Sequence, residues 1–201
     1  MSSASPRRRM SYDERHRQLL DVAEKLFIER AYALVSMEDI ARAADVTRPV
    51  VYNHFTTKEG AYIACIRRNY EVYNAALLQT IDPDAPAVDQ LRAGAEFYFS
   101  SITHNTDRWL MLFTSASVLT GEHQKELTAL RFEHIEVIAD LLRRSAPAAP
   151  GERIEATAHA VSGVGERLGH WWLTRPDMSL DTIVDHFVSI LMGDLTRWID
   201  H

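Results

Sequence analysis

Between Thr47 and Lys58 the chain collects a hydroxyl, a guanidinium, a phenol, a carboxamide, an imidazole and an ammonium, on Thr47, Arg48, Tyr52, Asn53, His54 and Lys58. Hydroxyl, guanidinium and carboxamide groups can read base edges in a major groove, while phenol, imidazole and ammonium donors can hold phosphates. Spacing decides whether they can act together. Thr47, Arg48, Pro49, Tyr52 and Asn53 fall on one side of a short helix that buries Val50 or Val51 and Phe55 on the other. A preceding short helix packs through Ile40 and Ala41, and the tight turn between them places Val46 in the core. The pair has the dimensions of a helix-turn-helix. A plain helical hairpin with a solvated outer face has the same spacing.

A second set of candidates lies further along. Phe97, Tyr98, Trp109, Phe113 and Phe132 fall on three successive helical patterns, and Glu166 and His170 share one helix face at i, i+4 spacing. A pocket lined by aromatics with a few polar groups suits an apolar ligand, and aromatics at helical spacing also make plain core. The candidate ligand contacts are Phe97, Trp109, Phe113, Phe132, Glu166 and His170. Catalysis has less to work with. The chain contains no Glu-x-x-His, no His-Glu-x-x-His and no Gly-rich phosphate loop, which disfavours the alternative of a metal-dependent helical-bundle enzyme. One cysteine, Cys65, excludes an internal disulfide framework and any multi-cysteine metal site. No catalytic residue, metal ligand or cofactor is expected.

Positioning these groups takes helices, and the sequence supplies them throughout. Leu19, Leu20, Ala23, Leu26 and Phe27 recur at helical spacing, which predicts an amphipathic helix from Asp13 to about Arg30. Ser36, ahead of Met37, Glu38 and Asp39, offers an N-cap oxygen to a helix of about two turns. Asp45 interrupts that helix. Thr47 is a fresh N-cap, with Pro49 where a first turn tolerates a missing N–H, and opens a third helix to about His54. Thr56 and Thr57 before Lys58 start a fourth, which runs to about Thr80 and stops at Asp82-Pro83-Asp84. Five more helices are expected over residues 87–102, 107–119, 122–144, 152–173 and 180–199. No stretch keeps strand period for long, so the expected class is all-α, a small three-helix unit joined to a larger helical body.

The helix over 152–173 is rich in small residues, among them Ala156, Ala160, Gly163, Gly165 and Gly169. Glycine inside a helix costs roughly 1 kcal/mol relative to alanine, so close packing must offset it. Ile154, Ala158, Val161, Gly165, Leu168 and Trp172 form one stripe. Ile183, Phe187, Ile190, Leu191 and Trp198 form its expected partner, and a twofold homodimer is the simplest closed assembly.

Charge follows the same division. Residues 1–60 carry ten Lys and Arg against nine Asp and Glu, and the remainder twelve against nineteen. An acidic body with a near-neutral head is a poor nonspecific polyanion binder, yet it leaves the head free to approach phosphates. Arg7, Arg8 and Arg9 suit either a minor-groove arm or a solvated tail. Met1–Arg9 has charge but no apolar segment after it, unlike a secretory signal. The longest apolar runs, Ala31–Val35 and Trp109–Phe113, are far shorter than the roughly 18 residues a spanning helix needs. A cytoplasmic protein with no membrane partner is expected.

The segment from Arg17 to Ile66 resembles the DNA-binding domain of the TetR family of transcriptional regulators. The resemblance is carried by Asp39-Ile40-Ala41, Ala44-Asp45-Val46-Thr47, Tyr52-Asn53-His54-Phe55 and Lys58-Glu59. It implies that Tyr52, His54 and Lys58 contact phosphates and that Thr47, Arg48, Pro49 and Asn53 face bases. It further implies a flexible basic tail over 1–11, a helix-turn-helix DNA-binding domain over 12–57, and a helical ligand-binding and dimerisation domain over 58–201. The partners it implies are a double-stranded DNA operator, a small-molecule effector that relieves repression and a second copy of the chain; an alternative keeps the DNA-binding head on a body that has no small-molecule ligand and senses a protein partner or only dimerises. Two positions depart from the family pattern, which usually has Gly where Ala31 and Asp45 stand. Asp is among the few other residues that tolerate a left-handed turn, so that turn should survive.

Overall fold

The computed structural model describes residues 10–114 and 119–199, with side chains for 10–113 and 119–193. Among the described residues there are nine α-helices and no strand: α1 (Tyr12–Arg30), α2 (Met37–Ala43), α3 (Arg48–His54), α4 (Lys58–Thr80), α5 (Ala87–His104), α6 (Thr106–Thr114), α7 (Gly121–Ser145), α8 (Gly151–Trp172) and α9 (Leu180–Ile199). The chain divides into two compact units, Met1–Ile66 and Arg67–His201, inside α4 rather than at its start. The reason is packing. The Tyr62 ring meets Phe27 edge-on at 5.0 Å, and the Cys65 thiol reaches the Leu20 carbonyl at 3.8 Å, so the first turns of α4 close the core of the N-terminal unit.

The local start signals act as their chemistry suggests. The Ser36 hydroxyl accepts from the Asp39 N–H at 3.2 Å while the Asp39 carboxylate accepts from the Ser36 N–H at 3.0 Å, a reciprocal cap for α2. Thr57 accepts from the Gly60 N–H at 2.9 Å and opens α4. Thr47 holds the N-cap position of α3, but its hydroxyl makes no capping bond. Val46 is half-buried rather than core, and Val51, not Val50, takes the buried position.

Asp45 sits at φ 53° and Ala31 at φ 58°, ψ 149°. The first is the left-handed turn an Asp accepts. The second lies near a region that only glycine occupies without strain, at about 1–3 kcal/mol for other residues. Ala31→Gly is therefore expected to stabilise the N-terminal unit by about 1 kcal/mol after the extra chain entropy of glycine is subtracted. A higher urea midpoint checks this, and an unchanged midpoint would mean that Ala31 is not strained.

In the C-terminal unit α5 packs on α9, α7 on α8, and α8 on both α5 and α9. Phe99 is fully buried, with Tyr98, Trp172 and Phe187 meeting its ring edge-on at 5.1, 5.9 and 5.6 Å. Helix α6 is shorter than expected, since Leu119 lies outside it, buried just before Thr120, the extended N-cap residue of α7. The small-residue stripe is corrected more substantially. Ile154, Ala158, Gly165 and Trp172, with Phe187 and Leu191 of α9, are buried inside the chain's own core and have almost no area left for a partner. Val161 and Leu168 are half-buried, Ile190 is 54% exposed, and the Trp198 side chain lies outside the described residues. An apolar arc first serves the core nearest to it. A Cβ on Gly169 would come within 2.8 Å of Trp109 and 2.9 Å of Ile102, so its glycine is required by α5 and α6 and not by a second copy. Gly163 faces open space, and with Ala156 and Ala160 it lies on the exposed side of α8.

Candidate nucleic-acid interface and apolar cavity

Helix α3 is fixed from below by Val51, 0% exposed, and by Phe55 just after it. At 100° per residue that leaves Arg48, Pro49, Tyr52 and Asn53 on the outer side, and all four are exposed, as is Thr47. Arg48 is already held in an outward setting. Its guanidinium lies 3.6 Å from the Glu38 carboxylate of α2, and the Tyr52 hydroxyl, one turn on, reinforces its charged form.

His54 and Lys58 are less free than their neighbours. The His54 ring stacks on Tyr12 at 4.2 Å and lies 5.4 Å from His16, so it wedges α3 against α1. Burial, and then the nearby His16 and Arg15, hold its pKa below the usual histidine value, and its buried Nδ1 has no partner. The ammonium of Lys58 donates to the Tyr32 carbonyl at 3.2 Å and sits 4.2 Å above the Tyr32 ring. The Tyr32 hydroxyl donates in turn to Glu59 at 2.9 Å. Burial and that carboxylate push the phenol's pKa up, while backbone and Tyr32 hydrogen bonds hold Glu59 below the usual carboxylate range. Tyr32 and Glu59 were not legible as partners of Lys58, because 26 residues separate Tyr32 from it and no local pattern links them.

The C-terminal unit holds a partly open cavity of about 120 Å³ with an almost wholly apolar lining. Helices α4, α5, α7 and α8 form its walls through residues such as Leu77, Leu91, Leu142 and Val161, with Phe113 of α6 and Phe187 of α9 beside them. Of the expected ligand contacts, Phe113 lines the cavity. Phe97 sits behind Tyr73, ring to ring at 5.0 Å, and Trp109 stands one layer back against Phe113 at 5.2 Å and Tyr98 at 6.2 Å. The His170 ring meets Trp109 at 4.8 Å, and its Nδ1 donates to the Glu166 backbone carbonyl at 2.8 Å, so the i, i+4 pair is joined through the backbone and outside the lining. Phe132 is 55% exposed. It lies 200° around α7 from the buried His134 and must face outward.

His134 does line the cavity. Its Nδ1 donates to the Asn74 side-chain oxygen at 2.7 Å, and burial pushes its pKa down to about 4. The folded value lies below the ordinary 6.5 of the unfolded chain, so the unfolded chain takes up the proton first as pH falls. The stability from neutral His134 is full above about pH 6.5 and is lost progressively toward pH 4. Urea midpoints should therefore fall more steeply for the native protein than for His134→Gln across this window. Parallel profiles would contradict it.

Two family models match this chain. Residues 19–65 match the model described as bacterial regulatory proteins of the tetR family, and residues 88–193, more than half of the chain, match the tetracyclin repressor-like C-terminal domain. The chain belongs to the TetR family. Among its TetR-family relatives is the transcriptional activator FasR of Mycolicibacterium smegmatis, 26% identical over 191 residues that cover 94% of this chain and 86% of the relative. The regulator EthR of the same organism is 30% identical over 98 residues, less than half of either chain. A TetR-like transcriptional regulator from Rhodococcus sp. RHA1 superposes with a TM-score of 0.68 at 25% identity, covering 94% of this chain and 99% of the other. The protein is a TetR-family helix-turn-helix transcriptional regulator. Among the described residues no helix is long and apolar enough to cross a membrane.

Proposed function

We propose that the protein binds a palindromic operator in the cytoplasm as a homodimer and releases it when a small, mainly apolar molecule enters the cavity. The observation that carries this reading is the pairing, in one chain, of an exposed outer face on α3 with a partly open apolar cavity in the C-terminal unit. The protein acts as a binder and not as a catalyst. Two recognition helices about 34 Å apart would enter successive major grooves. Thr47, Arg48, Pro49 and Asn53 then meet base edges, while Tyr52, His54 and Lys58 meet phosphates. The face left for the second copy is Ala156, Ala160 and Gly163 of α8 with Ile190 of α9, small or apolar residues that the chain's own core does not use.

Helix α4 supplies the coupling. It carries Lys58 at one end and contributes Tyr73 and Leu77 to the cavity wall near the other. A ligand that prefers one setting of Tyr73 and Leu77 biases Lys58 through a continuous helix. Typical coupling free energies of this kind are about 1–3 kcal/mol. On an operator that overlaps a promoter, release lifts repression.

Genomic fragments retained by the protein should share an inverted repeat with half-site centres about 10 base pairs apart. A shared sequence without twofold symmetry would contradict the dimeric reading. Lys58→Ala should lower the slope of log affinity against log salt by about 2 for the two copies in a dimer. An unchanged slope would mean that Tyr32 keeps the ammonium away from the phosphates.

A further inference from the structure

The polar inventory of the cavity says more about its occupant than its volume does. Among the described residues no Asp, Glu, Lys or Arg lines it. Where α5 begins and α7 ends, Gln90 donates to the carbonyls of Pro83 and Ala85 at 3.2 and 2.8 Å and accepts from the Ser145 hydroxyl at 2.6 Å, so that end has little left to offer. At the other end, beside Phe113 and Gly165, stand Tyr73, Tyr98 and His134. The Tyr73 hydroxyl has Ser101 beside it, and the Nδ1 of His134 is taken by Asn74. Tyr98 differs. Its buried hydroxyl oxygen faces the Trp109 indole N–H, which can only donate and does so with poor geometry, so the phenol's own O–H proton has no acceptor among the described residues. A buried hydroxyl left unpaired is costly, and a native structure that keeps one has usually reserved it for something.

The surroundings also limit charge. A carboxylate or ammonium moved into this cavity would lose its hydration and find no counter-charge, because His134 is neutral there. Alkyl and aryl groups pay nothing of the kind, and they match the leucine, isoleucine and phenylalanine walls. A single oxygen on such a molecule finds its deeply buried donor at Tyr98, while the Ser162 hydroxyl, also in the lining, belongs to a half-buried residue of α8.

We infer that the cavity takes an uncharged, slender, mainly apolar molecule bearing one hydrogen-bonding oxygen, and that the Tyr98 hydroxyl is the specificity-determining donor to it. This deepens the ligand reading above and rests on it. Tyr98 is reached from α5, and its ring also meets Phe113 at 5.7 Å, so the phenol is held stiffly enough to select.

The test uses the full chain and four eight-carbon probes, with binding followed by titration calorimetry and by the shift in Tm. 2-Octanone and n-octane are compared at equal fractions of their aqueous solubilities, so that the hydrophobic contribution cancels, and octanoate and octylammonium are added at the ketone's concentration. The ketone should bind about ten-fold more tightly than the alkane on this scale, and neither ion should bind. Tyr98→Phe should stay folded, since it gives up only a poorly aligned bond from the Trp109 indole, and should bind ketone and alkane alike. Equal binding of ketone and alkane by the native protein would overturn the inference and leave the cavity as a ligand site. Binding of octanoate, or an undiminished ketone preference in Tyr98→Phe, would overturn it too. If no probe binds the native protein, the ligand reading itself falls with it.

Discussion

Replacing Arg48 by Ala is expected to weaken operator binding on the order of ten- to a hundred-fold per half-site, while binding to random duplex falls several-fold at most. The contrast follows from where the guanidinium sits. Arg48 is the first residue of α3, its side chain is more than half exposed, and Val51 and Phe55 fix the helix beneath it. A bidentate bond to a guanine edge distinguishes bases, whereas a phosphate contact does not. In the free protein the group rests on Glu38, which both aims it and must be displaced by DNA. Competition assays with operator and random duplex at one salt concentration measure the two losses separately. Equal losses on both DNAs would move Arg48 from base reading to phosphate holding.

The largest expected effect on stability is that of Phe99→Ala, which should destabilise the C-terminal unit by about 3–5 kcal/mol. Phe99 is fully buried, and it joins α5 to both α8 and α9 through edge-on contacts with Trp172 and Phe187. Truncation removes the transfer free energy of the ring and leaves a void whose walls are three other aromatic side chains, which collapse poorly. Urea unfolding followed by near-ultraviolet circular dichroism would report it. A loss below about 1 kcal/mol would mean that the helices close over the gap and that the aromatic cluster is not what holds the unit.

Much of the fold is readable because its signals are local. Ser36 and Thr57 announce helix starts through oxygens that bond three residues on, and both bonds form. The outer face of α3 was readable for the same reason, since helical periodicity around Val51 and Phe55 leaves few alternatives. The cavity was not. Phe132 and His134 are two residues apart, and nothing local says that the histidine turns inward and the phenylalanine outward; that depends on which side α7 presents to α8. The small-residue stripe was readable as close packing but not as packing against what. Gly169 answers to Trp109 and Ile102, sixty and sixty-seven positions earlier in the chain, and only the assembled helices bring them together. Lys58 was placed correctly at the start of α4, while its tie to Tyr32 waited on a contact across 26 residues.

Operator affinity with and without a saturating cavity ligand tests the central claim most directly, with the ketone probe as ligand and the dimer concentration held constant. Saturating ligand is expected to weaken operator binding by roughly 5- to 150-fold, and by reciprocity the ligand should bind the operator-bound protein more weakly by the same factor. Identical ligand affinities for the free and the operator-bound protein would contradict any coupling between the cavity and the DNA-binding face.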